Sequence, residues 1–255
     1  MIDARAVIDS SAIIGEGVSI GPFSVIGADV ELGDGTWVGP HVVIQGPTRI
    51  GRDNRIFQFS SIGDEPQDKK YAGENTRLEI GDRNTIREYV TISRGTIQDE
   101  GVTRIGDDNW IMTSVHIAHD CIIGNQTIFA NNATLAGHVT IADHVILGGF
   151  TLVHQFCAIG EYAFTAMGTA IGKDVPPYMM VSGNPARTHG LNSEGLKRSG
   201  VSIEVLSELK QAYKILYRSK QNLDKAIEAL EQQASCDESQ QLICFLKKTS
   251  RSIVR

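Results

Sequence analysis

The chain has 255 residues, 41% of them hydrophobic, with 26 glycines, four cysteines and a formal net charge of −6. That length supports a large core in one or two domains, the acidic balance gives no general argument for nucleic-acid binding, and Cys121, Cys157, Cys236 and Cys244 lack the CxxC spacing of a metal knuckle. Met1-Ile2-Asp3-Ala4-Arg5 has no apolar signal core and no stretch is long enough to cross a bilayer, so the expected setting is reducing and cytoplasmic, without integral membrane association.

From the N-terminus, every sixth residue is branched and apolar: Ile14, Ile20, Ile26, Leu32, Val38, Ile44, Ile50, Ile56 and Ile62, most of them followed by glycine. The phase returns at Ile80, Ile86 and Ile92. It returns again, shifted by one residue, at Ile105, Ile111, Ile117 and Ile123, then from Leu135 to Ile171. A period of six is neither a helix (3.6) nor a single strand (2). It fits a solenoid of short parallel strands, each one face of a prism with one inward aliphatic, so that residues 18 apart stack on successive coils. Two stretches break the period, 64–79 and 94–104. Long loops on a regular scaffold are usually functional, and each is placed to cover a site or reach a neighbouring subunit. After Gly172 the hexads stop, and Lys173-Asp174-Val175-Pro176-Pro177-Tyr178 predicts a stiff exit.

From Ser202 the period becomes helical. Ser202 is a candidate N-cap for a helix with the stripe Val205, Leu206, Leu209, Tyr213, Leu216 and Tyr217. Further helices fit 223–232 and 240–248. The predicted architecture is mainly β with an α-helical C-terminal domain: a parallel β-helix of hexapeptide repeats over 1–190, with its two inserted loops, and a helical domain over 191–255. Flat prism faces favour side-by-side packing, and a cyclic trimer is the expected assembly.

Five of the seven histidines fall between residues 116 and 154. Stacking at 18 residues puts His119, Gly137 and Gln155 in one column and Asp120 and His138 in another, so that these residues and His154 converge on one patch. Histidine exchanges a proton near neutrality, and an adjacent carboxylate fixes its tautomer. A glycine N–H can approach a developing oxyanion with no Cβ in the way. Two other readings use the same residues. One is a solvated histidine ladder on the surface. The other is a three-histidine zinc site with an open fourth position, as in hexapeptide carbonic anhydrases. No serine triad or phosphate-binding glycine loop is present, since the glycines follow hexad aliphatics as turn residues.

Several segments are more specific than the hexads. They are His116-Ile117-Ala118-His119-Asp120, Asn131-Asn132-Ala133-Thr134-Leu135-Ala136-Gly137-His138, His154-Gln155-Phe156, Gly183-Asn184-Pro185-Ala186 and Asn192-Ser193-Glu194-Gly195-Leu196-Lys197-Arg198. With the Gln67-Asp68-Lys69-Lys70-Tyr71 loop and the helical tail, they make the chain resemble the bacterial UDP-N-acetylglucosamine O-acyltransferases over almost its whole length. The resemblance implies left-handed coils. It also implies transfer of an (R)-3-hydroxyacyl group from acyl carrier protein to the glucosamine 3-hydroxyl of UDP-N-acetylglucosamine, the first step of lipid A biosynthesis, with no cofactor and no metal.

By the same resemblance His119 matches the general base, Asp120 the group that orients it, and the Gly137 N–H the oxyanion donor. His116, His138, His154 and Gln155 match residues lining sugar and acyl groups. Gln67, Asp68 and Lys70 match a sugar-contacting loop, and Asn192, Glu194 and Arg198 a nucleotide-contacting stretch. Three positions depart from the family pattern. Ser93 stands where histidine is usual, which puts a direct catalytic role there in doubt. Ser199 stands where a second arginine is common. Met167 stands where some members have glycine at the far end of the acyl groove, which predicts 3-hydroxydecanoyl over 3-hydroxymyristoyl. Because the carrier protein is acidic, a local basic patch is needed; Lys197, Arg198, Lys210, Lys214, Arg218, Lys220 and the tail 247–251 are candidates. Rival activities on this scaffold are the later N-acyltransferase of the same pathway, which carries an extra N-terminal domain that the early hexads leave no room for, and a sugar N-acetyltransferase using acetyl-CoA. A structural β-helix would instead show threonine-rich faces without clustered histidines.

Overall fold

The computed structural model describes residues 1–249 and 252–255. Among these, the hexads form three sheets of 9, 8 and 10 strands whose members follow one another in a strict rotation. The first face begins with Val7–Ile8, the second with Ile13–Ile14 and the third with Ser19–Ile20. Most strands are two residues long, the first residue outward and the second inward. One inward column on the first face runs Ile26, Ile44, Ile62, Ile92 and Ile117, in parallel register and no more than 1% exposed. The prism is thus a stack of apolar layers. Its ladders tie each coil only to its neighbours, and at roughly 25 cal/mol per Å² burial of these columns supplies the main driving force.

Tight corners between faces require a residue in the left-handed region, and the chain meets this with ordinary side chains as well as glycine: Asp120 (φ 59), His138 (φ 62) and Phe156 (φ 65) occupy equivalent corners of successive coils. This is the left-handed parallel β-helix of the hexapeptide-repeat proteins.

The two interruptions are shorter than the broken period suggests. The strands Ser61–Asp64 and Arg77–Ile80 bracket 65–76, and Thr91–Ser93 and Val102–Ile105 bracket 94–101. The first insertion makes Ile62 pair with Ile92 and the second makes Ile92 pair with Ile117. The first offset is a multiple of six and the second is one residue more, which is why the apolar phase slips by one only after the second loop. Both insertions leave from the corner between the first and second faces.

The stiff exit expected after Gly172 is instead another part-coil. Val175 pairs with Ile159, and Met179–Ser182 joins the third face beside Phe164–Thr165. Val175 keeps both ladder bonds, to Ala158 and from Gly160. The prolines follow it, where no strand partner is needed, and Pro177 packs on Gly160. Arg187–Leu191 then turns back antiparallel to Met179–Ser182, crossing residue 190.

Four helices follow: α1 (Ser193–Arg198), α2 (Ile203–Arg218), α3 (Leu223–Glu231) and α4 (Asp237–Lys248). Ser202 caps α2 as predicted, accepting from Val205 N, and Leu206, Leu209 and Leu216 of the stripe are buried. Asn222 caps α3 in the same way through Lys225 N. Helix α1 is too short to leave a periodic signal, and α4 starts three residues before the expected Gln240, on an acidic first turn that suits the helix N-terminus. The chain end returns to the prism. Ile253 bridges Asp174, and Ile253 and Val254 are buried against the end of the second face.

Candidate active site

The corner between the first and second faces forms one edge of the prism, and nearly every sequence-predicted residue of the central patch lies along it. In coil order this edge carries the 65–76 loop, the 94–101 loop, His119–Asp120, Gly137–His138 and Gln155–Phe156. The 18-residue stacking is therefore as expected: His138 N donates to His119 O at 3.0 Å and Phe156 N to Gly137 O at 3.2 Å.

His119 and Asp120 sit in the corner after the strand His116–Ile117. The His119 Nδ1 lies 2.8 Å from Asp120 Oδ2. The Asp120 side chain is 1% exposed, and Thr96 satisfies the rest of its carboxylate: Thr96 N donates to Oδ1 at 2.7 Å and Thr96 Oγ1 to Oδ2 at 2.6 Å. Burial works to raise the Asp120 pKa, but the hydrogen bonds from His119 and from the Thr96 side chain and backbone outweigh it and leave it below the usual value. An ionised carboxylate only accepts, so Nδ1 of His119 carries a hydrogen, and in the neutral ring Nε2 is the nitrogen with the lone pair. Against that ring lies Gly137: a Cβ added there would be 2.5 Å from His119 Cε1 and 2.8 Å from Nε2. Glycine is thus required by close approach. Among the described residues its N–H has no acceptor. The arrangement offers a base lone pair with a backbone donor beside it.

The other histidines take distinct places. His138 is edge-on to His119, with ring centroids 5.1 Å apart, and stacks on Phe156 at 4.5 Å. Its Nδ1 is 3.0 Å from Asp99 Oδ2 in the second loop, and its Nε2 is 3.7 Å from Asp120 Oδ2, too far for a hydrogen bond. His116 Nδ1 pairs with Thr91 Oγ1 at 2.8 Å; burial, and then the nearby His119, push its pKa down, so it is neutral at pH 7. His154 is exposed two coils beyond His116, with Nδ1 donating to Gln155 O at 3.1 Å. His144 is on a different edge, stacked on Tyr162. Cys121, next to Asp120, is no nucleophile: burial pushes its thiol up to about 12.

Ligand atoms of His119, Asp120 and His138 lie within 4.8 Å of one another, so the cluster that forms is two histidines and a carboxylate rather than the three histidines of the zinc reading. The Asp120 lone pairs facing His119 already accept from Nδ1 and Thr96. This donor set is that of an oriented acid–base pair.

The remaining expected residues are not next to His119 within one chain. Gln67, Asp68 and Lys70 occupy the first loop on the same edge, where Lys70 N donates to Asp68 Oδ1. That loop is tied to the second by Arg94, nine-tenths buried, which donates to Gly63 O and to the Tyr71 hydroxyl. Asn192, Glu194 and Arg198 lie on α1 and its cap. Asn192 caps α1 through Gly195 N and donates to Tyr162 O, which places this group at the edge between the second and third faces. Met167 is 78% exposed on the edge between the third and first faces. Ser93 is buried at a strand end, and the Ser199 hydroxyl donates to Leu196 O in the last turn of α1. Of the basic candidates, Lys197 pairs with Glu194 and Lys247 with Glu231, while Lys210 and Lys214 line a cavity of about 780 Å³ between α2, α3 and the start of α4. Ser250 and Arg251 of the tail lie outside the described residues.

Sequence reasoning missed Thr96, Asp99 and Arg94. The break in period marks their loop as functional, but their partners are set by tertiary hydrogen bonds that no repeat encodes. No helix is long and apolar enough to cross a membrane, among the described residues.

Known proteins resolve the family. Residues 103–137 match the bacterial transferase hexapeptide model, and residues 174–254 match the second domain of UDP-N-acetylglucosamine O-acyltransferase. An acyl-[acyl-carrier-protein]–UDP-N-acetylglucosamine O-acyltransferase of Thiobacillus denitrificans is 56% identical over 255 residues, covering 100% of this chain and 99% of the relative. One of Halorhodospira halophila is likewise 56% identical over the same shares. The crystal structure of LpxA from Acinetobacter baumannii superposes with a TM-score of 0.98 at 48% identity, over 100% of this chain and 99% of that one. The chain belongs to the acyl-[acyl-carrier-protein]–UDP-N-acetylglucosamine O-acyltransferase family, and it carries that family's hexapeptide prism and helical tail over its full length.

Proposed function

We propose that this chain transfers an (R)-3-hydroxyacyl group from acyl carrier protein to the 3-hydroxyl of UDP-N-acetylglucosamine, the first step of lipid A biosynthesis, in the cytoplasm and without an organic cofactor or metal. The observation that carries the reading is the His119 ring, held through Nδ1 by Asp120 and lying against Gly137. His119 Nε2 takes the proton of the sugar hydroxyl as that oxygen attacks the thioester carbonyl. The Gly137 N–H stabilises the oxyanion of the tetrahedral intermediate. Collapse breaks the C–S bond, and the imidazolium returns its proton to the departing carrier thiolate. The ionised Asp120 holds the tautomer throughout and stabilises the imidazolium when it forms.

His116, His138, His154 and Gln155 line the sugar and acyl groups in this reading. Gln67, Asp68 and Lys70 reach the sugar, and Asn192, Glu194 and Arg198 hold the nucleotide, where the guanidinium of Arg198 suits phosphate. The division into a prism over 1–190 and a helical domain over 191–255 belongs to the same reading: the prism holds the chemistry, and the basic positions of α2 dock the carrier.

The placement of these groups supports a homotrimer. His119, Asn192 and Met167 lie on three different edges of one prism, and Ile122, Phe150, Leu152, Phe156 and Met167 are more than two-fifths exposed. Packing copies side by side in a closed ring covers that surface and sets one copy's edges against another's. Along the first face, the strand after Met167 is three coils beyond that of His119, about 14 Å at the usual strand spacing. That span lies between an extended ten-carbon and an extended fourteen-carbon chain, and the Met167 side chain, which shortens the groove in this reading, favours 3-hydroxydecanoyl.

The test is transfer to UDP-N-acetylglucosamine from a series of 3-hydroxyacyl carrier proteins, for wild type and His119→Ala. A collapse of transfer in a folded His119→Ala protein is the expected result. Undiminished transfer by that variant overturns the mechanism. Sedimentation showing a monomer, or a wild-type optimum at 3-hydroxymyristoyl, overturns the assembly or the Met167 assignment separately.

A further inference from the structure

The second insertion holds the acid–base pair in place, and one of its residues does so directly. Thr96 is fully buried. It sends one donor to each oxygen of Asp120, the backbone N–H to Oδ1 at 2.7 Å and the hydroxyl to Oδ2 at 2.6 Å. Two donors from one residue fix both the position of the carboxylate and the rotation of its plane. The oxygen that accepts the Thr96 hydroxyl is the one that accepts His119 Nδ1, so rotation of the carboxylate would swing the acceptor away from the imidazole. The Thr96 carbonyl in turn accepts from Asp99 N and Gly101 N, which folds the loop around this residue. The loop is anchored on either side, by the hydrogen bonds of Arg94 to Gly63 and Tyr71 and by the contact of Asp99 with His138. Asp120 N, meanwhile, donates to Thr103 Oγ1 on the strand that leaves the loop.

We propose that Thr96 is a positioning residue for the His119–Asp120 pair: its hydroxyl fixes the carboxylate that fixes the imidazole. The inference rests on the reading of His119 as base. Thr96 touches no reacting atom, so its effect passes wholly through Asp120. Networks of this kind are best apportioned by double-mutant cycles, because pairwise deletions overstate or understate members that act as a unit.

The experiment compares Thr96→Val, Thr96→Ser and Thr96→Ala in the full chain, each also in an Asp120→Ala background, using the same transfer assay. Valine matches threonine in shape and keeps the backbone donor while losing the hydroxyl; serine keeps both donors. Thr96→Val should lower kcat about ten-fold with KM for UDP-N-acetylglucosamine unchanged, the scale seen when a group behind a catalytic residue is removed. Thr96→Ser should retain wild-type kcat. In the Asp120→Ala background the valine substitution should cost nothing more, since there is no carboxylate left to hold. Should the valine variant fold poorly, Thr96→Ala, which adds no bulk, carries the same expectation. A kcat within two-fold of wild type for the folded Val and Ala variants overturns the proposal, as does an equal loss with and without Asp120. Full activity of His119→Ala would instead remove the reading beneath it, so the two failures are told apart by that control.

Discussion

Along the edge between the second and third faces, Asp34, Asp82, Asp107, Asn125 and Asp143 each accept a backbone N–H from the coil before, at 2.7–2.8 Å. Just inside, Asn54, Asn84 and Asn109 accept from the next coil and donate to the carbonyls of Gly81, Gly106 and Gly124. The first-to-second edge has the same corner geometry, yet its polar groups are not all used up internally. There, among the described residues, the His119 Nε2 and the Gly137 N–H have no partner. The coils stack alike on both edges, so the difference lies in the corner side chains and in the two loops that leave the first-to-second edge. A repeat scaffold places any corner residue at a fixed spacing from its equivalents. A site arises where the ladder residues are replaced by groups whose hydrogen-bonding capacity the fold leaves open for a ligand.

The largest expected contrast follows directly. His119→Ala should reduce transfer by about 10³-fold or more, within the range for a general base and its oriented partner, while leaving the melting temperature close to wild type. Asn109→Ala should do the reverse. Asn109 is 1% exposed, and its removal strands the Thr127 N–H, the Thr127 hydroxyl and the Gly124 carbonyl in the core. A loss of roughly 3 kcal/mol of stability is expected, with transfer per folded molecule unchanged. Denaturant unfolding alongside the transfer assay checks both. A large stability loss from His119→Ala, or a kcat loss from Asn109→Ala, would erase the distinction between the edges.

Gly137→Ala sharpens the comparison within the catalytic edge. The atoms nearest the new Cβ all belong to the His119 ring, and Gly137 does not need positive φ, so the backbone accepts alanine. The ring must move instead. Displacement of a catalytic group by about an ångström costs on the order of 10² in rate, and kcat should fall by that much with stability nearly unchanged. Retention of more than a third of wild-type kcat would mean that the ring is not held against Gly137 during turnover.

Most of the first-edge geometry is legible in the sequence because the period is rigid. Once Ile117, Leu135 and Val153 are set inward, the neighbours His119, Gly137 and Gln155 have no choice but to stack. The same periodicity says nothing inside 94–101, where Thr96 and Asp99 are placed by tertiary hydrogen bonds rather than by a repeat. It also misreads the exit at Val175. Proline there stops the hexad signal, while the ladder itself continues through the N–H groups that remain. Helix α1 escapes detection because six residues are too few to display an apolar stripe, although its Asn192 cap is the kind of residue that marks a helix start. The assignment of Asn192 and Met167 to one site cannot be derived from a single prism at all, since they lie on different edges from His119.

The smallest expected effect concerns charge on the first face beside the catalytic edge. Burial, and then the neighbouring His119, lower the pKa of His116 in the folded chain below its ordinary 6.5. The unfolded chain therefore binds the proton first as the solution is acidified. Stability from this group is fully present above pH 6.5 and is lost progressively as pH falls toward the folded value, with a slope below the roughly 1.4 kcal/mol per pH unit that a whole proton would give. His116→Gln keeps a polar partner for Thr91 and has no proton to take up, so its stability should fall less steeply than wild type between pH 7 and pH 5.5. Equal slopes for the two proteins would mean that His116 gains its proton as readily folded as unfolded. By the ordinary pKa of 6.5 the ring would then carry a proton in about a quarter of the molecules at pH 7, and in those it would oppose any positive charge developing on His119.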